Sequence, residues 1–291
     1  MIEVNHVHYS YDTSKILYDL NLSEKDKNIV GLWGRNGAGK TTFMKLLAGQ
    51  LKPDQGEINI FGFNPYNNDQ TSSHLCYMQE EHPFSIIWKV KDALRFGAYY
   101  NPNWDMAFAK ELLTVFKLDE NKNVTKLSKG MKSALQFIIG IASKADVTIL
   151  DEPTNGLDAG IRKKFDKVLI ESYEEHPRII LLSSHHIEEI QPLCDSLVVI
   201  HDGRAIIHDS METMREKGIW LSGEKTPIVK LLDSYTVLEK AEMGTKMKVM
   251  LDESYTDGWK QYAQSNGLSI EPASLQDYLL NKTEERSEMS I

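Results

Sequence analysis

The sequence predicts an α/β fold: a parallel sheet covered by helices on both faces, an antiparallel β side sheet, a helical insertion, and a small C-terminal α+β domain. Three observations carry that prediction. The apolar run Asn28–Trp33 leads through a glycine-rich loop into the helical pattern of Phe43, Met44, Leu46 and Leu47. Further apolar runs at Val147–Leu150, Ile179–Leu182 and Leu197–Ile200 alternate with helical patterns such as Ile161, Phe165, Val168 and Leu169. Apolar strands separated by helices read as a parallel sheet buried on both sides. Beyond about Ser210 this alternation gives way to a different pattern.

Taken in order, the first 27 residues and Glu57–Phe63 read as short antiparallel strands with polar turns, a side sheet beside the parallel core. The helix after the glycine loop meets a stop at Gly49, with Pro53 beyond it, the usual arrangement of a C-terminal cap. From about Val90 to Ala145 the patterns are helical and no strand is convincing. The remainder reads as a small α+β unit with helices near Tyr255–Gln264 and Leu275–Leu280, ending in the polar NKTEERSEMSI, an expected frayed tail. Two domains are therefore expected, 1–212 with a helical part at about 90–145, and 213–291.

Composition narrows the function classes. With 41% hydrophobic and 26% charged residues, the 291-residue chain has the balance of a folded globular protein, neither disordered nor fibrous. A net charge of −9, with no run of Lys and Arg interleaved with aromatics, argues against a nucleic-acid partner. Cys76 and Cys194 form no Cys-x-x-Cys pair, and MIEVNHVHYS lacks the layout of a secretory signal, so a reducing, cytoplasmic setting is expected. The longest apolar stretches, Ala134–Ala142 and Arg178–Leu182, fall well short of the ~20 residues a membrane-spanning helix needs.

Two motifs carry chemistry. Gly34-Arg35-Asn36-Gly37-Ala38-Gly39-Lys40-Thr41, followed by Thr42, fits G-x-x-x-x-G-K-[ST] in full. The glycines let the backbone wrap a polyphosphate at a helix N-terminus, where free amides favour negative charge. Lys40 can then reach the outer phosphates of ATP, and Thr41 can ligate Mg²⁺. The plainer reading is a glycine-rich turn joining strand to helix. The strand before and the helix after argue against it. The second motif, Val147–Glu152, ends an apolar strand in two acids. Asp151 is placed to hold Mg²⁺, commonly through water, and Glu152 to polarise the attacking water. Alone, it could be a solvated strand exit; the phosphate loop upstream decides between the two.

With these motifs in place, Leu127–Met131 (LSKGM), just before a helix and about twenty residues ahead of the acid pair, resembles the signature loop of the ABC ATPase family. The resemblance covers about the first 210 residues. It implies an ATPase core whose signature residues, Ser128 and Gly130, act on the nucleotide of a partner subunit, so that a second ATP-binding subunit, identical or related, is required. It also implies roles for Asp158 in the D-loop, Gln79 in a Mg²⁺-contacting Q-loop, and His185 as the switch histidine. His186 is the competing histidine, read as a helix start. Tyr11, 29 residues before Lys40, sits where the family stacks an aromatic on adenine; packing within a strand is its plainer role. Lys129 and Met131 depart from the family's usual LSGGQ, which bears on the strength of the closed dimer.

LSKGMK, NPNWD and LSIEPASLQDYLL look like nucleotide-binding subunits of Gram-positive ABC-2-type exporters, some of which move antimicrobial or toxic peptides. That resemblance implies a separate transmembrane permease and a peripheral location on the cytoplasmic face of the membrane. The loop EEHPFSIIW after Gln79 would transmit motion to the permease, unless His82–Trp88 is internal packing of the helical insertion. The alternative is a soluble ABC ATPase with a non-transport role. Ribosome-acting members usually carry two cassettes, and DNA-repair members insert a long coiled coil where this chain has about 90 residues. An assembly-scaffold ATPase is excluded less firmly.

Overall fold

A computed structural model describes residues 1–80 and 84–284. The chain separates into two compact units, Met1–His208 and Asp209–Ile291; the sequence expected the change at 212.

The first unit opens with β1 (Ile2–Tyr11), β2 (Ser14–Glu24) and β3 (Ile29–Trp33), then α1 (Lys40–Leu47), β4 (Gln55–Ile60), α2 (Asp69–Ser72) and β5 (Leu75–Met78). Next come α3 (Val90–Tyr100), α4 (Met106–Val115), a 3-10 turn at Val124–Lys126, and α5 (Lys129–Ala142). It continues with β6 (Val147–Leu150), α6 (Ala159–Glu175), β7 (Ile179–Ser184), α7 (Ile187–Ile190), β8 (Ser196–His201) and β9 (Arg204–Ser210), which runs across the unit boundary.

The central sheet has the order β5-β6-β7-β3-β8-β9, and its inner strands pair in parallel. Every residue of β3, β6 and β7 is buried, as apolar strands covered on both faces should be. β1 lies between β2 and β4 in an antiparallel side sheet, the expected one. β5 was not anticipated, because LCYM is too short and too mixed to announce a strand. Between β5 and β6 the described chain is helical. α5 is buried continuously from Ser133 to Ala142, and its Phe137 stacks against Phe165 of α6 with ring centroids 4.0 Å apart. A stretch so largely apolar belongs in an interior, and its buried Ser133 and Gln136 are hydrogen-bonded.

The second unit contains α8 (Met211–Arg215), β10 (Lys217–Glu224), α9 (Lys225–Leu232), β11 (Val237–Met243), β12 (Lys246–Ser254), α10 (Asp257–Ser265), β13 (Ser269–Pro272) and α11 (Leu275–Lys282). From β10 to β13 this is a β-α-β-β-α-β run with sheet order β11-β12-β10-β13 and antiparallel pairing throughout, the split arrangement of ferredoxin-like folds. Ile219, Leu221, Ile228, Val249 and Leu251 form the centre of its core. The first residues of the expected frayed tail are folded instead. Asn281 and Lys282 complete α11, and Thr283 is buried with its hydroxyl bonded to the Leu279 carbonyl at 2.7 Å. The remainder of that tail, 285–291, lies outside the described residues.

Candidate active site

The glycine loop joins the C-terminal end of β3 to α1, with Gly39 as the N-cap at φ 105°. That conformation suits glycine alone, and a Cβ there would meet the Leu17 side chain at 2.8 Å. The loop residues Asn36, Gly37, Ala38, Gly39, Lys40, Thr41 and Thr42 wall one side of a cavity, and Glu80 and Glu152 face them. Gly34 supports the loop from beneath, its carbonyl accepting a hydrogen bond from Lys40 Nζ at 2.6 Å. Burial pushes the Lys40 ammonium below its ordinary pKa, and the nearby Glu152 and Asp151 carboxylates offset part of that shift.

Asp151 and Glu152 follow directly on β6, so the fully buried strand delivers both acids to the sheet's C-terminal edge. Thr41 Oγ1 donates to Asp151 Oδ2 at 2.9 Å, bringing together the two residues assigned to a divalent cation. Ser183 donates to Asp151 Oδ1 at 2.7 Å and accepts from the Glu152 amide at 2.8 Å. One hydroxyl at the end of β7 thus fixes both acids. Glu152 sits at φ 47°, a left-handed conformation that costs a non-glycine residue about 1–3 kcal/mol. The conformation is held from both ends: the amide by Ser183, the carboxylate by His185 Nδ1 at 2.9 Å and by Lys40 Nζ at 3.7 Å. Burial raises the pKa of both acids; Ser183 and Thr41 oppose the rise at Asp151, and His185 and Lys40 oppose it at Glu152.

His185, not His186, contacts Glu152, while His186 is the N-cap of α7. The Gln79 side-chain amide faces Gln50 Oε1 at 3.5 Å, and the Gln79 main-chain carbonyl accepts from Gln136 Nε2 at 2.6 Å. Asp158 caps α6, accepting from the Gly160 and Ile161 amides at 2.9 Å each. Ser128 is the N-cap of α5, and Gly130 is the second residue of the helix. Neither lines the cavity of Lys40, nor the adjoining cavity that shares Asn36, Glu80 and Glu152 with it. Tyr11 is exposed at the end of β1, edge-on to Tyr9 with centroids 5.0 Å apart, and the cavity wall nearest that sheet is Ile16 instead. Sequence reasoning missed Ile16, Ser183 and Glu80. Ser183 had a signal, the SSHH run that also holds His185, and Glu80 directly follows Gln79.

A family profile described as ABC transporter matches residues 17–155. YcbN, an uncharacterized ABC transporter ATP-binding protein of Bacillus subtilis, is 30% identical over 262 residues, 87% of this chain and 83% of that protein. The chain belongs to the ABC transporter ATP-binding proteins. Within this family, the Nod factor export ATP-binding protein I of Burkholderia lata is 32% identical over 225 residues, 75% of this chain and 73% of that one. A solved ATP binding subunit of an ABC transporter superposes with a TM-score of 0.67 at 26% identity, covering 74% of this chain and 92% of that structure. The chain is an ABC transporter's ATP-binding and ATP-hydrolysing subunit, and these relatives give the soluble, non-transport alternative no support. Among the described residues no helix is long and apolar enough to cross a membrane.

Proposed function

We propose that Lys40 and the loop Gly34–Thr42 bind the ATP phosphates, that Thr41, Asp151 and Gln79 hold Mg²⁺, and that Glu152 and His185 activate water on the γ-phosphate. The supporting observation is how these residues meet: Lys40, Thr41 and Glu152 line one cavity, Asp151 is bonded to Thr41, and His185 lines the adjoining cavity and is bonded to Glu152. Residues far apart in sequence meet in the order of roles that phosphoryl transfer requires. Mg²⁺ would neutralise charge developing on the transferred phosphoryl group. The donor set suits it: a hydroxyl and a carboxylate, both hard oxygen ligands.

Ser128, Gly130 and Asp158 serve the nucleotide of a second ATP-binding subunit, since Ser128 and Gly130 lie outside their own chain's cavity. Two chains then close over two nucleotides, and hydrolysis reopens them. The motor drives a separate transmembrane permease and sits on the cytoplasmic face of the membrane through it. Of the loop assigned to that contact, 81–83 lie outside the described residues. Beyond them Ile86 and Ile87 are 76% and 78% exposed, an outward-facing apolar pair and not internal packing. Trp88 stacks on Phe96 with centroids 4.8 Å apart. Export is the proposed direction, as in the relative that exports Nod factor.

The test is Glu152→Gln. Turnover should fall by ~10²–10⁴, the usual loss of one positioned base, with ATP binding retained. The variant should elute as a dimer in ATP and as a monomer in ADP. Near-normal turnover would refute the role of Glu152.

A further inference from the structure

The loop after β5 places an acid where the phosphate-binding reading does not call for one. Glu80 lines the Lys40 cavity together with Glu152, and lines the adjoining cavity as well. Its Oε1 accepts from Asn155 Nδ2 at 2.7 Å and lies 3.8 Å from Lys129 Nζ. Three loops meet at this carboxylate. They carry Gln79, the signature Ser128, and the segment between Glu152 and Asp158.

One face of α5 explains the meeting. Lys129, Ser133 and Gln136 follow the i, i+4, i+7 spacing that lines up on one side of a helix. Ser133 Oγ donates to the Asn155 carbonyl at 3.0 Å and Gln136 Nε2 to the Gln79 carbonyl at 2.6 Å, both from buried side chains. These two bonds fix the helix against both loops. Lys129 and Glu80, at the helix start, are 59% and 44% exposed. An ion pair so exposed contributes little to stability, but it sets the charge at the cavity wall. That wall already holds Glu152, with Asp151 bonded to Thr41 of the same wall, so a nucleotide with one more phosphate meets Glu80 as an added like charge.

We propose that Glu80 is a specificity-determining residue of the ATPase site, disfavouring triphosphate relative to diphosphate, and that Lys129 tunes this discrimination by neutralising Glu80. The departure of Lys129 from the usual signature sequence thereby acquires a role inside its own chain. By thermodynamic reciprocity, a bound γ-phosphate favours the Glu80–Lys129 pair, tightening the start of α5 where Ser128 sits. The proposal rests on the reading of the Lys40 cavity as the phosphate site.

The experiment measures ATP and ADP dissociation constants of the full chain by displacement of a fluorescent nucleotide, in EDTA so that turnover is off. Glu80→Gln should tighten ATP about fivefold or more, the lower end of typical site-to-site couplings, with ADP changed less than about twofold. Lys129→Gln should weaken ATP binding alone, and should have no effect in the Glu80→Gln background. Glu80→Asp, which keeps the charge, should retain the original ATP to ADP ratio. Equal changes for ATP and ADP, or additive effects of the two substitutions, would overturn the proposal. Lys40→Ala run in parallel separates the two failures. Retained ATP affinity there sinks the phosphate-site reading, whereas lost affinity with an inert Glu80→Gln sinks only the role of Glu80.

Discussion

Replacing Gly130 by alanine would set a Cβ 2.5 Å from the carbonyl oxygen of Gly156, where ordinary contact begins at 3.4 Å. The opposing atom is backbone, so no side chain can rotate away. Nor is either partner free to retreat. Gly156 is held at φ 81° in its turn, Asn155 is bonded to Ser133, and α5 is buried from Ser133 onward. Overpacking of this kind costs about 1–3 kcal/mol. At about 2–4 °C per kcal/mol for a unit of this size, the Tm of Gly130→Ala should fall by roughly 2–12 °C in a thermal melt. Relief comes most readily from the N-terminal turn of α5, which displaces Ser128. Steady-state ATPase activity should therefore drop by at least about tenfold, while ATP affinity measured on the monomer stays within about twofold, because Gly130 does not line its own cavity. An unchanged Tm with unchanged turnover would refute the close approach. A matching loss of monomer affinity would refute action on a partner's nucleotide.

The other expectations concern the cavity itself. Lys40→Ala should abolish measurable ATP binding with a folded far-UV spectrum, since it removes the cation beside Glu152 and leaves α1 intact; retained affinity would refute the phosphate-loop assignment. Ser128→Arg should suppress turnover with near-normal monomer affinity for ATP, and a parallel loss of affinity would count against its role in trans. Burial raises the Glu152 pKa, so the acid limb of the ATPase pH profile should lie above the ordinary glutamate range. Because the His185 contact lowers that pKa, His185→Ala should move the residual limb to higher pH, and a shift to lower pH would contradict the geometry.

Much of the site was legible because its key pieces are contiguous. Gly34–Thr42 and Val147–Glu152 carry their chemistry in local spacing, and each motif is positioned by a strand that could itself be read from its apolar run. The rest depends on contacts that only the folded chain creates. Ser183 earns no notice as a serine until β7 pairs beside β6 and aims it at both acids. Glu80 is marked in sequence only by its place after Gln79 and Lys129 only by its departure from the signature, and they meet only because α5 packs against the loop after β5. Tyr11 was named through the resemblance alone; it lies exposed at the end of β1, while Ile16 of β2, which no sequence signal marks, reaches the cavity wall. In the second unit the helices near 257 and 275 were visible as patterns. The sheet order was not, because β10 pairs with strands that follow it by more than twenty residues.

The charges of the cavity predict that nucleotide stabilises the fold. Asp151 and Glu152 are buried and their pKa values rise, while that of Lys40 falls. Each direction means that the ionised form is less favoured in the folded chain than in the unfolded one. For the two acids, the stability deficit appears as pH rises above the unfolded carboxylate range and is complete once pH passes the folded pKa values. For Lys40 the deficit is present at neutral pH and disappears only above the unfolded lysine range. At neutral pH the cavity therefore works against folding, and the left-handed Glu152 adds to the cost. A ligand that binds only the folded state recovers this as apparent stability, by about 2.7 kcal/mol at a hundredfold excess over its Kd. Mg²⁺ with ATP supplies the complementary charges, a cation to the acids and phosphates to Lys40. Removing a buried charge of the cavity should thus stabilise the nucleotide-free chain: Glu152→Gln should raise the nucleotide-free Tm at pH 8 and raise it less at pH 5. A Tm lowered at both pH values would mean that the contacts of Glu152 with Lys40 and His185 outweigh the cost of its burial.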